Sequence, residues 1–296
     1  LRVLRVLRVL RSTLACTVAV ALACGRRDAS PRDTAADSAR PVVGSAESSD
    51  WVSELGQLLV VPSDNENAGV VLFPSNPSPY VISSMPLTLL SAAGDSVVTR
   101  AQLVVSDSQV CGEAPTVRLT GPVPAPASWS VALSRRSAVP LKLDSIEALP
   151  PADSARLAAE LARLASALPV SRDSRFTGLP FVVFSARRFE AHGRHVLVAH
   201  LVRRLPQEAT PLEERTLVIA ERPAAAPKEP YAVMYHQRSE GSEETAEQFE
   251  LLSAISGSET TLLLLARHQE AQTRYEVLER QKTGGWQTRW SRTLAC

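Results

Sequence analysis

FVVFSARRFEAHGRHVLVAHLVRRL, residues 181–205, sets the fold class of this chain. Two β-rich runs, Phe181–Phe189 and His195–Leu205, flank Glu190–Arg194, where Gly193 can supply the positive φ of a hairpin loop. Apolar residues fall on both faces of the first run. We therefore predict a central strand that is covered on both sides.

Shorter β-rich runs continue in both directions, and proline and glycine interrupt the chain between them. The upstream runs are Gln57–Val61, Gly69–Phe73, Ser96–Ser106 and Ser128–Leu133. The downstream runs are Thr216–Glu221, Tyr231–His236, Gln248–Ile255, Thr261–Ala266, Arg274–Arg280 and Trp286–Ser291. This spacing is typical of antiparallel sheets joined by turns.

One segment, Asp153–Leu168, has the period of an amphipathic helix. Its leucines form a single stripe at positions 157, 161, 164 and 168. Asp153 or Ser154 can cap the start, and Pro169 ends the helix. The simplest role for such a stripe is to cover the protein's own sheet, although it could also seat a partner helix.

These patterns predict an α+β fold, mainly antiparallel β, with two β-rich lobes and one amphipathic helix packed on the sheet. We place the N-terminal lobe at residues 51–150, and the helix with the C-terminal lobe at 151–296. Residues 24–50 are rich in Ala, Ser, Asp, Arg and Pro without an apolar period, which indicates a disordered tether.

Residues 1–23 have the layout of a secretory signal peptide. An arginine-rich start precedes the uncharged segment Ser12–Ala23, and a small residue lies directly before Cys24. At 1.5 Å per residue this segment covers roughly 18 Å, which is too short for a ~30 Å hydrocarbon core. A transmembrane anchor is therefore disfavoured.

Ala21-Leu22-Ala23-Cys24 resembles the lipobox of bacterial lipoproteins, with leucine and the first alanine exchanged relative to the commoner order. The resemblance implies cleavage before Cys24, acylation of its thiol with fatty acids such as palmitate, and attachment to the outer or inner membrane. The protein would then face the periplasm or the cell surface. A plain secretory signal and a second lipobox ending at Cys16 are the alternatives.

The two remaining cysteines, Cys111 and Cys296, suggest one disulfide in an exported chain, although they could also be two unrelated thiols. The sequence contains no Cys-x-x-Cys motif and no Cys/His cluster, so we expect no zinc site and no cofactor.

Removing residues 1–23 removes four arginines and no acid, which changes the net charge from +1 to −3. A chain so close to neutral, without a basic block, gives no reason to expect a nucleic-acid partner.

Few residues suggest catalysis. His195 and His200 would point to opposite faces of a regular strand, and with His192 they are better explained as polar loop and strand-end residues than as metal ligands. Familiar hydrolase and phosphate-binding motifs are absent. The acidic run Glu240–Glu247 fits a solvated loop between strands, with binding of cations or of a basic partner as the alternative. Arginine pairs at 187–188 and 203–204, with the glutamates at 213–214, fit cross-strand ion pairs worth ~0.2–1 kcal/mol, with an anion-binding groove as the alternative.

The last ~50 residues resemble a degenerate FG-GAP/VCBS-type repeat. The resemblance rests on Ile255–Glu259, the apolar strand that follows it, Tyr275–Leu278 and Trp286–Cys296. Such repeats imply a calcium loop rich in aspartate, but Ser256 and Ser258 stand where carboxylates would be needed. The resemblance therefore implies a repeat without its metal. The whole chain also resembles uncharacterised lipoproteins of high-GC bacteria.

Together these features predict a lipid-anchored protein of the bacterial cell envelope that acts by binding or as a structural component. Its partners would be the membrane, through the lipid, and an envelope protein or glycan. The alternative is an exported cell-envelope hydrolase whose catalytic residues are distant in sequence, because such sites are recognised by geometry.

Overall fold

A computed structural model describes residues 56–63, 67–75, 77–104, 114–123, 129–134, 139–169, 175–205, 211–257 and 260–295. These residues form an α+β fold that is mainly antiparallel β, with a long helix packed on a sheet, as predicted.

The N-terminal strands close into a six-stranded antiparallel barrel in the order β1-β2-β5-β4-β3-β6. These strands are β1 (Leu59–Pro62), β2 (Ala68–Phe73), β3 (Pro86–Leu90), β4 (Ser96–Val104), β5 (Thr116–Leu119) and β6 (Val131–Leu133). A short helix, α1 (Pro79–Ser84), precedes β3. The sequence patterns missed α1, β3 and β5.

The rest of the chain forms two five-stranded antiparallel sheets. The first sheet has the order β12-β11-β10-β9-β8, and the second has the order β16-β15-β14-β13-β7. Two-residue strands, β7 (Val139–Pro140) and β8 (Asp144–Ser145), come first and are followed by a 3₁₀ turn (Ile146–Ala148) and helix α2 (Pro151–Ser166). The long strands are β9 (Val182–Ala191), β10 (Arg194–Leu205), β11 (Leu212–Pro223), β12 (Ala232–Ser242), β13 (Gln248–Ser256), β14 (Thr261–Gln269), β15 (Gln272–Arg280) and β16 (Trp286–Ala295).

Three apolar clusters hold these elements together as layers. Helix α2 packs on one face of the first sheet, the two sheets pack face to face, and the barrel packs on the outer face of the second sheet. A fourth cluster fills the barrel interior. Strands β1, β10 and β14 are apolar on both faces because each contributes to two clusters at once.

Helix α2 buries three of the four predicted leucines and Ala165, and Leu168 is buried just beyond its end. The helix begins two residues earlier than predicted because Pro151 occupies its first turn, where a missing N–H costs nothing. Pro150 is the N-cap and makes no side-chain cap hydrogen bond, so the prediction of a cap by Asp153 or Ser154 is wrong.

The hairpin β9–β10 turns at His192 and Gly193, which have φ values of 48° and 69°, as predicted for Gly193. The prediction that the first run is covered on both faces is wrong. A bulge at Phe184 shifts the register, and Val182 and Phe184 are 66% and 63% exposed. Strand β9 lies next to the edge of its sheet, so these two side chains reach solvent.

Candidate functional site

The residues predicted to carry the lipid and the disulfide, namely Cys24, Cys111 and Cys296, lie outside the described residues. Both predictions therefore stay predictions. Within the described ranges, no helix is long and apolar enough to cross a membrane. No group of three His, Cys, Asp or Glu side chains that could hold a metal occurs in that part of the chain either.

His195 and His200 point to opposite faces of β10, as the strand period predicted. His195 lies on the helix-facing side, near Glu190 at 3.7 Å. His200 points between the two sheets and is only 3% exposed, so its interpretation as a strand-end polar residue is wrong. The sequence signal of this burial is the run Val196–Val202, in which every residue except His200 is apolar.

The surroundings of His200 are aromatic. The ring of Phe184 lies 5.1 Å away in a tilted arrangement, and the ring of Phe249 lies 5.4 Å away edge-on. Neither ring nitrogen of His200 has a hydrogen-bond partner among the described residues. Burial, helped by the positive charge of Arg215, lowers the pKa of His200 from 6.5 to about 4, while Glu213 opposes the shift. The imidazole is therefore neutral at pH 7, with one donor and one acceptor unused.

His200 lines a cleft of about 260 Å³ that opens at one side of the paired sheets. Phe184, Ser185 and Arg187 line it from β9, and Phe249, Glu250 and His268 line it from the second sheet. Buried polar groups nearly always have partners in folded proteins, so an unpartnered imidazole lining a cleft is an exception that needs an explanation. A ligand that supplies the missing hydrogen bonds is one such explanation.

The cleft opens where two strands lack neighbours. In the described part of the chain, β8 pairs with β9 only at residues 187–188, and β7 pairs with β13 only at 255–256. The outer edges of residues 182–186 and 248–253 therefore have no partner strand among these elements. The two free edges border the cleft from either side.

A carboxylate network lies near His200. Glu213 is buried and accepts hydrogen bonds from Arg215 at 2.7 Å and Arg204 at 2.5 Å. Burial raises the pKa of Glu213, but the hydrogen bonds and the positive charges of Arg215 and Arg204 together outweigh it, so the net shift is downward. Glu213 is thus a satisfied anion that remains charged, and it makes no hydrogen bond to His200 in the described structure.

The predicted cross-strand ion pairs form, since Arg203 is opposite Glu214 and Arg204 is opposite Glu213. Their environment differs from the expectation of surface pairs. Arg203 donates two hydrogen bonds to Glu214, at 3.1 and 2.7 Å, and its guanidinium lies 4.7 Å from the Phe181 ring. Arg203 and both glutamates are buried. These contacts engage the guanidinium groups of Arg203 and Arg204, which argues against an anion-binding groove at this pair of arginines.

A hydroxyl, an imidazole and a carboxylate form a chain at the cleft rim. His268 Nδ1 lies 3.0 Å from Thr273 Oγ1, and its Nε2 lies 3.3 Å from Glu250 Oε2. The hydrogen bond from His268 lowers the pKa of Glu250. The side chains of His268 and Glu250 are 44% and 60% exposed, so water competes for both.

A second cleft, of about 490 Å³, lies between helix α2 and the first sheet. Its charged side chains pair with one another, as in Lys142 with Asp144 at 3.0 Å and Arg156 with Asp153 at 3.3 Å. The guanidinium of Arg222 stacks on Tyr231 at 4.5 Å. This cleft is larger than the first. Among the described residues that line it, the one buried side-chain atom without a hydrogen-bond partner is Arg222 Nε, and the guanidinium to which it belongs is already engaged by Tyr231.

The loop of the predicted repeat joins β13 to β14, with Gly257 N–H donating to the Thr260 carbonyl at 2.8 Å. Residues 258–259 lie outside the described ranges. The resemblance to an FG-GAP/VCBS-type repeat therefore stays a prediction.

In comparisons with known proteins, no family model matches this chain. No curated protein matches its sequence either.

Proposed function

We propose that this chain is a non-catalytic, lipid-anchored binding protein of the bacterial cell envelope, and that it binds its partner at the cleft beside His200. The observation that carries the binding site is the buried imidazole. It has no hydrogen-bond partner among the described residues and lines a cleft between two free strand edges. Such a site suits recognition, because an aromatic wall supplies contact area and a few polar groups fix orientation.

The anchor rests on the Ala21–Cys24 motif and the arginine-rich segment before it. The test is incorporation of radiolabelled palmitate, followed by membrane fractionation, in wild-type cells and in cells that carry Cys24→Ala. Cys16→Ala is the matched control for the second lipobox. We expect Cys24→Ala to lose the label and Cys16→Ala to keep it. An unlabelled wild-type protein in the soluble fraction would overturn the anchor.

The geometry favours binding over catalysis at His200. General-base catalysis by histidine usually needs a partner that orients the imidazole, and in the described structure no carboxylate bonds to His200. A neutral imidazole with both nitrogens free can instead donate one hydrogen bond and accept another.

NMR of the histidine ring tests the binding site directly. The full-length chain, in detergent micelles, would be titrated separately with an N-acetylglucosamine trisaccharide and with an extended synthetic peptide. His200→Leu identifies the His200 signal. A saturable shift of that signal by either probe supports the binding site, and no shift with both probes contradicts it.

An exported hydrolase is the second candidate, and the chain Thr273–His268–Glu250 is the observation that favours it. The solvent exposure of this chain argues against strong activation of the threonine. The assay is hydrolysis of p-nitrophenyl acetate by the wild type, Thr273→Val and Thr273→Ser. Activity that is lost with valine and kept with serine would support a hydrolase, whereas equal rates in all three proteins would leave binding as the function.

A further inference from the structure

We infer that the partner at this cleft is an extended polypeptide that adds as a strand to the free edge of β9, residues 182–186, and places an aromatic hydroxyl side chain against His200. The inference rests on the proposed binding site and names the class of its ligand. Free strand edges recruit extended peptides through main-chain hydrogen bonds, and pockets for alternate side chains provide specificity.

The edge of β9 is already a template for an added strand. Strand β8 pairs antiparallel with it, with Asp144 opposite Arg188 and Ser145 opposite Arg187. After Ser145 the chain enters the 3₁₀ turn Ile146–Ala148. The next residues of β9, towards Val182, have no strand opposite them in the described structure. An incoming antiparallel segment would continue the line of β8.

The side chains on this edge attract rather than repel a strand. Natural proteins protect free edges with charged residues, proline, short strands or bulges. This edge has the bulge at Phe184, but residues 182–186 include no charged residue and no proline. Val182 and Phe184 are instead two of the most exposed large apolar side chains in the described ranges. The free edge of β13 is less suitable, because Glu250 is exposed and Phe249 points into the protein. The comparison of these two edges therefore favours β9 as the place where a strand is added.

The register determines which ligand side chain enters the cleft. Ser185 is opposite His200 in the β9–β10 pair, so both lie on the face between the sheets. A peptide residue paired with Ser185 would lie on this same face, about 10 Å from β10. A long side chain at that position can lean over Ser185 into the cleft that Phe184, Phe249 and His200 line. Aromatic rings pack well against such a wall. A phenol hydroxyl can both accept and donate a hydrogen bond, which suits the unpartnered imidazole.

The first probe is a fluorescent heptapeptide of alternating Thr and Val with a central Tyr, and its affinity for the full-length chain is measured by polarisation. Two control peptides carry N-methyl groups on alternate amides, one on the odd-numbered residues and the other on the even-numbered residues. The methyl groups remove main-chain hydrogen-bond donors and leave the side chains unchanged. We expect the unmethylated peptide to bind and at least one methylated form to lose at least tenfold in affinity. Equal affinities for all three peptides would overturn strand addition.

Val182→Lys tests the position of the strand, with Val98→Lys as the matched control. Val98 is 50% exposed but lies in β4 of the barrel, opposite Thr88 of β3, and does not line the cleft. We expect Val182→Lys to weaken binding at least tenfold and Val98→Lys to leave it unchanged. The same loss in both variants, or in neither, would contradict binding at β9.

The hydroxyl is tested with a peptide in which Phe replaces the central Tyr. A neutral hydrogen bond to His200 predicts that this change weakens binding about 2- to 10-fold in the wild type and has no effect in His200→Leu. An equal effect in both proteins would overturn the contact.

The NMR titration separates this inference from the proposed binding site. If the trisaccharide shifts the His200 signal and the peptide does not, the peptide inference fails while the binding site stands. If neither probe shifts it, both fail.

Discussion

Two buried ionisable residues on the same face of the first sheet have opposite environments. Glu221, on β11, accepts three hydrogen bonds from Arg280, at 2.9, 3.0 and 3.1 Å, and a fourth from Trp286 Nε1 at 2.8 Å. Its Oε2 also lies 3.6 Å from Arg194 Nε. His200, on β10, has no hydrogen-bond partner in the described structure.

The difference separates a group that holds the fold together from one that is available for a ligand. Glu221 cross-links the two sheets, because Arg280 and Trp286 both belong to the second sheet. An ion with several good partners is costly to disrupt, since its partners are left charged and buried. An imidazole without hydrogen-bond partners in the described structure adds nothing comparable to the folded state, and its unused donor and acceptor can bind a ligand.

The largest expected effect is that of Glu221→Ala. It leaves Arg280 without its carboxylate inside the protein, so we expect the free energy of unfolding at neutral pH to fall by about 3–5 kcal/mol. Urea denaturation measures it. Glu279→Ala is the control, because its ion pair with Arg289 at 2.8 Å is partly solvated and should contribute about 1 kcal/mol or less. Equal losses of unfolding free energy in Glu221→Ala and Glu279→Ala would show that the buried network is worth no more than the partly solvated ion pair.

The next effect is a loss of stability in acid that originates at His200. Its pKa is about 4 in the folded protein, against 6.5 for an ordinary imidazole, so the unfolded chain binds the proton first as pH falls. Above about pH 6.5, protonation of His200 does not affect the free energy of unfolding. Between pH 6.5 and 4 it lowers this free energy progressively, by about 3 kcal/mol in total.

Urea denaturation at a series of pH values measures this loss. Between pH 6.5 and 4, the free energy of unfolding of His200→Leu should fall less steeply with pH than that of the wild type. His195→Gln is the control, because it changes a half-buried histidine on the opposite face, and it should keep most of the wild-type dependence on pH. A His200→Leu slope identical to that of the wild type would contradict the buried neutral imidazole.

A smaller effect concerns the aromatic cover of His200. Because Phe184 is largely exposed, Phe184→Ala should lower the free energy of unfolding by only about 1 kcal/mol. It should also admit water to the imidazole and raise the pKa of His200 towards 6.5. An NMR titration of the ring protons follows this pKa. An unchanged pKa would show that Phe184 does not shield the ring.

The sequence predicted those features that depend on local chemistry. Gly193 marked the β9–β10 turn, the leucine stripe marked helix α2, and the strand period placed His195 and His200 on opposite faces. Each depends on residues within a few positions of one another.

Features that depend on distant contacts were missed. The exposure of Phe184 follows from a bulge and from the shortness of β8. The burial of Glu213 and Glu214 follows from the layers on either side of β11. The cleft depends on residues 184 and 249, which only the stacking of two sheets brings together.

The most direct test of the account compares His200→Leu with Glu221→Leu in urea denaturation at neutral pH. Both variants place the same apolar side chain in the same layer between the sheets. The account predicts that Glu221→Leu lowers the free energy of unfolding by about 3 kcal/mol or more, whereas His200→Leu changes it by about 1 kcal/mol or less, or raises it. A loss in His200→Leu as large as that in Glu221→Leu would show that the imidazole supports the fold, and would contradict its assignment to a binding site.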